Sequence, residues 1–505
     1  MRRHAVLLSI VALMCGLQFL EVGMVAFAST PIRGEIQASP EEYSVVTMLY
    51  ATVAVLAISQ VHRFTQRFGW RLYLMGTIAV YIAGAGLCIA SRDLYSFAAG
   101  RMVMAAGGAT FFTSGRVLVN LIPFGKERVI GITVFAIAVS TGTAAAPFAA
   151  SLAVTHDQWK AIFWGLLIIA GIVALLVVLG FPASAGPRAQ WTGGNSAAIF
   201  FLGVAAFLLL YTIQRSNYVF YSARGIVLTT FLLALTFLSL YLWYERRQQR
   251  PLLSVRKLVG ARYFAGMALF CFSFLLIGAN SYVLPQFLQT GLGYPWEAIG
   301  LVQSVSLCFA IVTIVAAMAV RSKYPSPKKY FVAGFLALAV FGWLFSSIAP
   351  GADLWTHIFP ALALSGCFTS LVMSTVAMEA FREFGDDDAL FMQAQQVKNM
   401  ASQVFIAAGI SIATLTLQWR NSVQYGNLNV RLSNGDPVFQ AQTQQLTQYF
   451  STFQDGIAAQ GMAFAQQASQ LSQQASILAG IEYYWGLALV AALALLFSAI
   501  QRVFR

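Results

Sequence analysis

The sequence predicts an all-α membrane protein with about fourteen transmembrane helices. Two observations carry that prediction. The chain of 505 residues is 59% hydrophobic and only 10% charged, with a mean hydropathy of +0.72. A single soluble core cannot hide that much apolar surface. The apolar residues also fall into discrete runs, most of them long enough to cross a bilayer as a helix.

In order, the runs lie near 5–30, 43–61, 72–91, 94–120, 129–153, 161–182, 197–212, 225–244, 263–287, 298–320, 329–349, 354–380, 394–417 and 485–501. The loops between them test the count. With a cytoplasmic N-terminus, the loops on that side hold His62, Arg63, Arg67 and Arg71, then Lys126 and Arg128, Arg188, the group from Arg246 to Lys257, and the group from Arg321 to Lys329. The opposite loops hold Glu35, Glu41, Glu42, Asp93, Asp157, Glu297 and Asp353, with few cations. This asymmetry predicts both termini in the cytoplasm. The net charge of +13 is therefore topology. It is spread over short loops and forms no nucleic-acid patch. The first run follows Arg2 and Arg3 as a signal peptide would, but it is too long, and Ser29-Thr30-Pro31 is a poor cleavage site.

Several chemistries are excluded. The five cysteines sit inside apolar runs with no paired or metal-ligand spacing, so no disulfide framework is expected. His4, His62, His156 and His357 lie near run ends and form no metal cluster. There is no phosphate loop of the Walker type and no hydrolase constellation. The expectation is a non-enzymatic protein without metal or cofactor.

One carboxylate interrupts the first run. Glu21 lies roughly 13 Å from the end near Thr30, at 1.5 Å per residue. Arg101, in the fourth run, lies roughly 10 Å below the same surface. Each is costly in lipid alone, so the two are expected to pair, or to alternate between pairing and protonation. A carboxylate balanced between burial and a neighbouring cation can take a proton from one side and release it to the other. The alternative is a permanent structural ion pair. Gln18, one turn from Glu21, shares its face. Met24 and Tyr50 are further candidates for a substrate pocket. A polar stripe of Tyr282, Gln286 and Gln289, with Asn280 near it, recurs at helical spacing beside Pro285. Gln303 in the next run can face it, and a water-filled cavity is the expected role. Gly142 and Pro147 lie in a small-residue run that allows close helix approach and a hinge. Lys398 begins the thirteenth span and is expected to snorkel to the near surface.

The long polar segment is 418–480. Its first half reads as loop, around Asn434-Gly435-Asp436-Pro437. From Gln440 onward it reads as helix. Phe464, Ala468, Leu471, Ala475 and Leu478 alternate spacings of four and three, a weak helix-pairing seam. Packing on the protein's own outer face and docking of a partner helix both fit it. Tyr483, Tyr484 and Trp485 then mark re-entry at an interface.

Several segments resemble the major facilitator superfamily, and within it the fourteen-span drug:proton antiporters of the EmrB/QacA group, EmrB-type inner-membrane pumps most closely. Leu20-Glu21 through Pro31, Ile32 and Gly34 resembles the first-helix motif, with Glu21 where that motif has Asp. Gln66-Arg67-Phe68-Gly69 resembles the loop between helices two and three. Arg101 with Gly107-Gly108 is similar to the fourth-helix motif, and Gly142 through Pro147 to Ser151 to the exporter motif of helix five. Trp159-Lys160-Ala161-Ile162-Phe163 resembles the entry to helix six, and Leu284-Pro285-Gln286 through Gly293-Tyr294 the entry to the C-terminal half. The Gln-rich segment ending Glu482-Tyr483-Tyr484-Trp485 is similar to that of EmrB-type pumps.

The resemblance implies two six-helix bundles, 1–185 and 251–505, with two extra helices inserted at 186–250. It implies a proton-coupled antiporter that exports amphipathic or lipophilic compounds, driven by the proton gradient, with Glu21 and Arg101 as the coupling residues. It places the chain in a bacterial inner membrane. There the 418–480 segment, through Phe464, Leu471 and Leu478, would meet a periplasmic adaptor protein joined to an outer-membrane channel. A dedicated exporter of one metabolite or siderophore is an alternative. So is a non-transporting scaffold, which has no need of deep charges.

Overall fold

The computed structural model describes the chain apart from residues 1, 124, 182–195, 221, 249, 250, 252, 254, 255, 259, 322, 324, 385, 386, 432–436, 454 and 505. The described residues form helices and no strand. A helix satisfies its own backbone, which is what a run of this length needs in lipid. The first part folds as α1 (Arg2–Phe27), α2 (Ser29–Glu35), α3 (Pro40–Ala90), α4 (Leu94–Gly108), α5 (Phe111–Asn120), α6 (Lys126–Thr155) and α7 (Ala161–Gly180). The pair α8 (Ser196–Val219) and α9 (Arg224–Arg247) follows. The rest folds as α10 (Ala261–Gln286), α11 (Trp296–Arg321), α12 (Pro327–Ser346), α13 (Phe359–Glu379), α14 (Asp388–Arg431), α15 (Pro437–Ser451) and α16 (Gly456–Ile500).

Thirteen helical stretches among the described residues are long and apolar enough to cross a membrane. One of them, α3, has 51 residues. As a straight rod it would run ~75 Å, more than twice the ~30 Å hydrocarbon core. It turns at Gly69, where φ is 76° and ψ is 163°, a conformation open to glycine at little cost. Two spans therefore share α3, and the fourteen expected crossings are present. An even number returns the chain to the face it left. That face is called the terminal face below, and the opposite one the hairpin face. Two capping boxes mark entries from the hairpin face, Ser39 with Glu42 on α3 and Asp93 with Ser96 on α4. The Ser96 backbone N–H holds the exposed Asp93 carboxyl below the usual carboxylate range.

α1 packs on α6 and α7, and α3 on α4 and α7. In the second half α10 packs on α14 and α13, and α12 on α13 and α16. The two halves meet along α6–α11 and α3–α14. The inserted pair lies beside the second of these seams, since α8 packs on both α3 and α14. Ser411 of α14 accepts or donates there with Ser216, and it donates to Asn217 Oδ1 at 2.6 Å. The expected domain boundary at 185/186 lies outside the described residues.

Two positions in α6 set how it meets its neighbours. A Cβ on Gly142 would lie 2.3 Å from the Gly16 carbonyl oxygen of α1, so only glycine lets these backbones touch. Pro147 lies inside the helix and removes a donor from its ladder. One residue on, the Phe148 N–H donates to Ser304 Oγ of α11 at 2.9 Å. The α6 backbone is thus tied to the opposite half where its own ladder is weakest.

The 418–480 segment differs from expectation. Residues 418–431 are not loop, because α14 continues as one helix to Arg431. Asn434, Gly435 and Asp436 lie outside the described residues, and Pro437 opens α15. α14 and α16, with 44 and 45 residues, each run ~66 Å and so project well beyond the membrane. The buried face of α16 is Ala459, Ala463, Gln467 and Ala475, and Gln467 exchanges hydrogen bonds with Thr443 of α15. Small alanines allow that close approach. The expected seam is displaced as a result. Phe464 is 45% exposed, and Leu471 and Leu478 are half-buried. At the base, Arg420 donates to both carboxylate oxygens of Glu482, and Gln424 adds a third bond at 2.8 Å. Tyr484 is not an interface residue either. It is fully buried among Phe287, Phe341 and Phe345, while Trp485 beside it is exposed.

Gly142→Val forces α1 away from α6. The expected loss is about 1–3 kcal/mol, read as a lower melting temperature of the detergent-purified protein. Gly426→Val, where a Cβ meets nothing within 4 Å, is the control and leaves it little changed.

Candidate functional site

A fully buried charged centre is built on three elements of the first half. Glu21 of α1 is 0% exposed. Arg101 of α4 is buried beside it and donates to Glu21 Oε1. Tyr50 of α3 donates its hydroxyl to Glu21 Oε2 at 3.3 Å. The Arg101 guanidinium lies 4.3 Å from the centre of the Tyr50 ring. Both carboxylate oxygens and one face of the cation are therefore satisfied, as a buried charge requires. The pair expected from matching depth is present. Tyr50 belongs to the carboxylate's own surroundings, where the sequence placed it in a substrate pocket.

Gln18 has a different task from the one expected. The fourth span breaks between α4 and α5, at Ala109 and Thr110. There the Gln18 side chain accepts from the Phe112 N–H at 2.7 Å and donates to the Ala109 carbonyl at 3.4 Å. Its amide is committed to backbone groups that the break leaves open, not to a ligand. Met24 is buried and lines a cavity of about 280 Å³ with Leu152, His156, Gln158 and Ile162.

The polar stripe of the second half does not keep a single face. α10 ends at Gln286, and residues Phe287–Gly291 form a wider π-helical turn that rotates Gln289 away from the Tyr282–Gln286 line. Gln286 is exposed, and Tyr282 and Gln289 are half-buried. Asn280 has a buried Oδ1 without a partner. Gln303 is buried on α11. Among the described residues no side-chain hydrogen bond joins any of them to the Glu21 centre.

The terminal face is closed by contacts between the halves. Gln396 of α14 donates to the Ile58 and Ser59 carbonyls of α3 at 2.7 and 3.1 Å. Asn399 donates to Thr113 Oγ1 of α5 at 2.6 Å. Asn120 at the end of α5 donates to Asp388 Oδ1 at 3.1 Å. His62 Nδ1 meets Met392 Sδ at 3.1 Å.

Lys398 sits inside this closure and does not snorkel. It is 3% exposed. It lies ten residues into α14, ~15 Å along the helix, and α5 and α10 cover it. Its Nζ is 4.4 Å from the Phe112 ring centre, 5.2 Å from Phe270 and 6.0 Å from Phe381. No described carboxylate lies within ion-pairing distance. The charge that acts on it is another cation, Arg116 of α5, itself buried and set over the Phe391 ring at 5.4 Å. A ring contributes ~0.5–2 kcal/mol to a buried cation, whereas desolvation costs several kcal/mol per ion. The rings therefore do not fully offset two like charges. The sequence held a signal for this, since Phe391, Gln395, Lys398 and Ser402 recur at helical spacing, but it did not show what covers them.

The model of the Major Facilitator Superfamily matches residues 11–413. The chain belongs to the major facilitator superfamily. It is 26% identical over 411 residues to the MdtD protein of Cronobacter sakazakii, which carries a multidrug-resistance name, covering 79% of this chain and 83% of that one. It is 22% identical over 284 residues to the multidrug resistance protein Stp of Mycobacterium tuberculosis, covering 56% and 52%. A crystal structure of a bacterial homologue of the human lysosomal transporter Spinster superposes with a TM-score of 0.58 at 12% identity, over 99% of this chain and 98% of that one. This superfamily is one of transporters, so the chain is a multi-pass membrane transporter protein with a small-molecule substrate.

Arg101→Met strands the Glu21 carboxylate, and the expected loss is about 3–5 kcal/mol. The double change Glu21→Gln/Arg101→Met is expected to recover more than half of it. Unfolding of the purified protein in a mixed-micelle titration measures both.

Proposed function

We propose that this protein is a proton-coupled exporter of amphipathic or lipophilic compounds in a bacterial inner membrane. The observation that carries the reading is the fully buried Glu21 with its two donors, Arg101 and Tyr50. A permanent anchor does not need a carboxylate in lipid, and one held by a cation and a phenol can exchange its proton when the surrounding helices shift. The relatives with multidrug-resistance names support a drug-like substrate. The excess of cations in the loops of the terminal face supports a cytoplasmic location for that face. In that orientation the contacts of α14 with α3 and α5 close the cytoplasmic side. A proton enters at Glu21 from outside and leaves inside as the two halves rock about the α6–α11 and α3–α14 seams. The hairpin of α14, α15 and α16 then stands in the periplasm. Phe464, Ile457 and Phe453 are exposed there, and they supply the apolar contacts for a periplasmic adaptor that leads to an outer-membrane channel.

Liposomes test the coupling. With an inward proton gradient, the unaltered protein is expected to carry substrate-driven proton flux and Glu21→Gln to reduce it by at least tenfold. Equal flux in the two proteins overturns the coupling role. Deleting 440–478 is expected to abolish crosslinking to the adaptor while sparing flux in liposomes, and retained crosslinking removes the docking role.

A further inference from the structure

The Glu21 centre is balanced, one anion against one cation. On the terminal side, two buried cations have no such partner. Lys398 of α14 and Arg116 of α5 both lie at the junction of these helices, both buried, with no described carboxylate paired to either. Arg116 Nη1 is buried without a hydrogen-bond partner. Gln395, one turn before Lys398 on the same helix face, has both Nε2 and Oε1 buried and unpartnered. Phe112 and Arg116 are likewise one turn apart on α5. Since Phe112 meets Lys398 and Arg116 meets Phe391, the two helices run antiparallel, and Gln395 falls at the level between the two cations. The donors thus converge on one stretch of the junction between the two halves.

We infer that Lys398, Arg116 and Gln395 recognise the acidic group of the transported compound, and that the substrates are amphipathic organic anions. This rests on the export reading given above and names its substrate class. A carboxylate, sulfonate or phosphate supplies the counter-charge that these two cations lack and accepts from donors that are otherwise unsatisfied. Phe112, Phe270 and Phe381 around Lys398 offer apolar surface to the rest of such a molecule. The site lies between elements of opposite halves, so it is uncovered when the halves part and enclosed when they meet. An anion held there lets the seam close around two cations without leaving them uncompensated. Glu21 cannot serve that purpose, because Arg101 already occupies it.

The test uses the purified full-length chain and matched pairs of ligands on naphthalene and octyl bodies, each body carrying a sulfonate or a carboxylate and, as its neutral counterpart, a sulfonamide or an amide. Binding is read by quenching of tryptophan fluorescence and by the rise in Tm. The acids are expected to bind at least tenfold more tightly than their neutral counterparts. Lys398→Met removes that preference and raises the Tm of the unliganded protein. Lys398→Arg keeps the preference. Glu21→Gln keeps it too while losing proton flux. No preference for acids in the unaltered protein, binding of neither series, or an intact preference in Lys398→Met each overturns the inference. Proton flux that is driven by neutral or cationic compounds and depends on Glu21 leaves the export reading standing while this one falls. Vesicles with and without phosphatidylglycerol separate a solute from a lipid. A Tm rise produced by that lipid, with no competition from the free acids, also overturns the inference.

Discussion

A charge inside a membrane protein has to be compensated by what surrounds it, because neither lipid nor a packed apolar interior can hydrate it. The Glu21–Arg101 pair meets that constraint within the first half of the chain. α1 brings the carboxylate, α4 the guanidinium and α3 the phenol of Tyr50 that accompanies both. Their meeting depends on how those helices pack. Gly142 allows α1 to touch α6, and Gln18 ties α1 to the break between α4 and α5. The carboxylate and the cation compensate each other inside one half, so this centre makes no demand on the other half.

The seam on the terminal side obeys the same constraint in another way. Neutral amides do most of the joining there, with Gln396 on the α3 carbonyls and Asn399 on Thr113. Each such neutral hydrogen bond contributes only about 0.5–1.5 kcal/mol net, so these bonds hold the junction loosely. Lys398 and Arg116 are the exception to that economy. Their rings soften the cost of burial but do not cancel it, and a ligand of opposite charge would.

The hairpin is a separate structural solution. α14 and α16 leave the membrane without interruption and are clasped at the base by Arg420, Gln424 and Glu482. Alanines at four-residue spacing bring α16 against α15, and the large side chains turn outward. The polar segment therefore stands as a helical projection with exposed Phe453, Ile457 and Phe464 near its far end.

Much of this was legible in the order of residues. Run lengths, loop charges and the two isolated deep charges are one-dimensional signals, and hydration cost alone makes them informative. They determined the helical membrane class, the number of crossings, the alternation of loops and the Glu21–Arg101 pairing, since equal depth along two helices can be counted at 1.5 Å per residue. What only the tertiary structure decided concerns direction around a helix and the neighbours met there. Gln18 turned to a helix break, Gln289 left its stripe at a π-helical turn, Phe464 gave way to alanines, and Lys398 was covered by Phe112 and Phe270 and kept from the surface. Burial is a property of the elements packed against a residue, and those lie tens to hundreds of positions away in the chain, where no local spacing reports them.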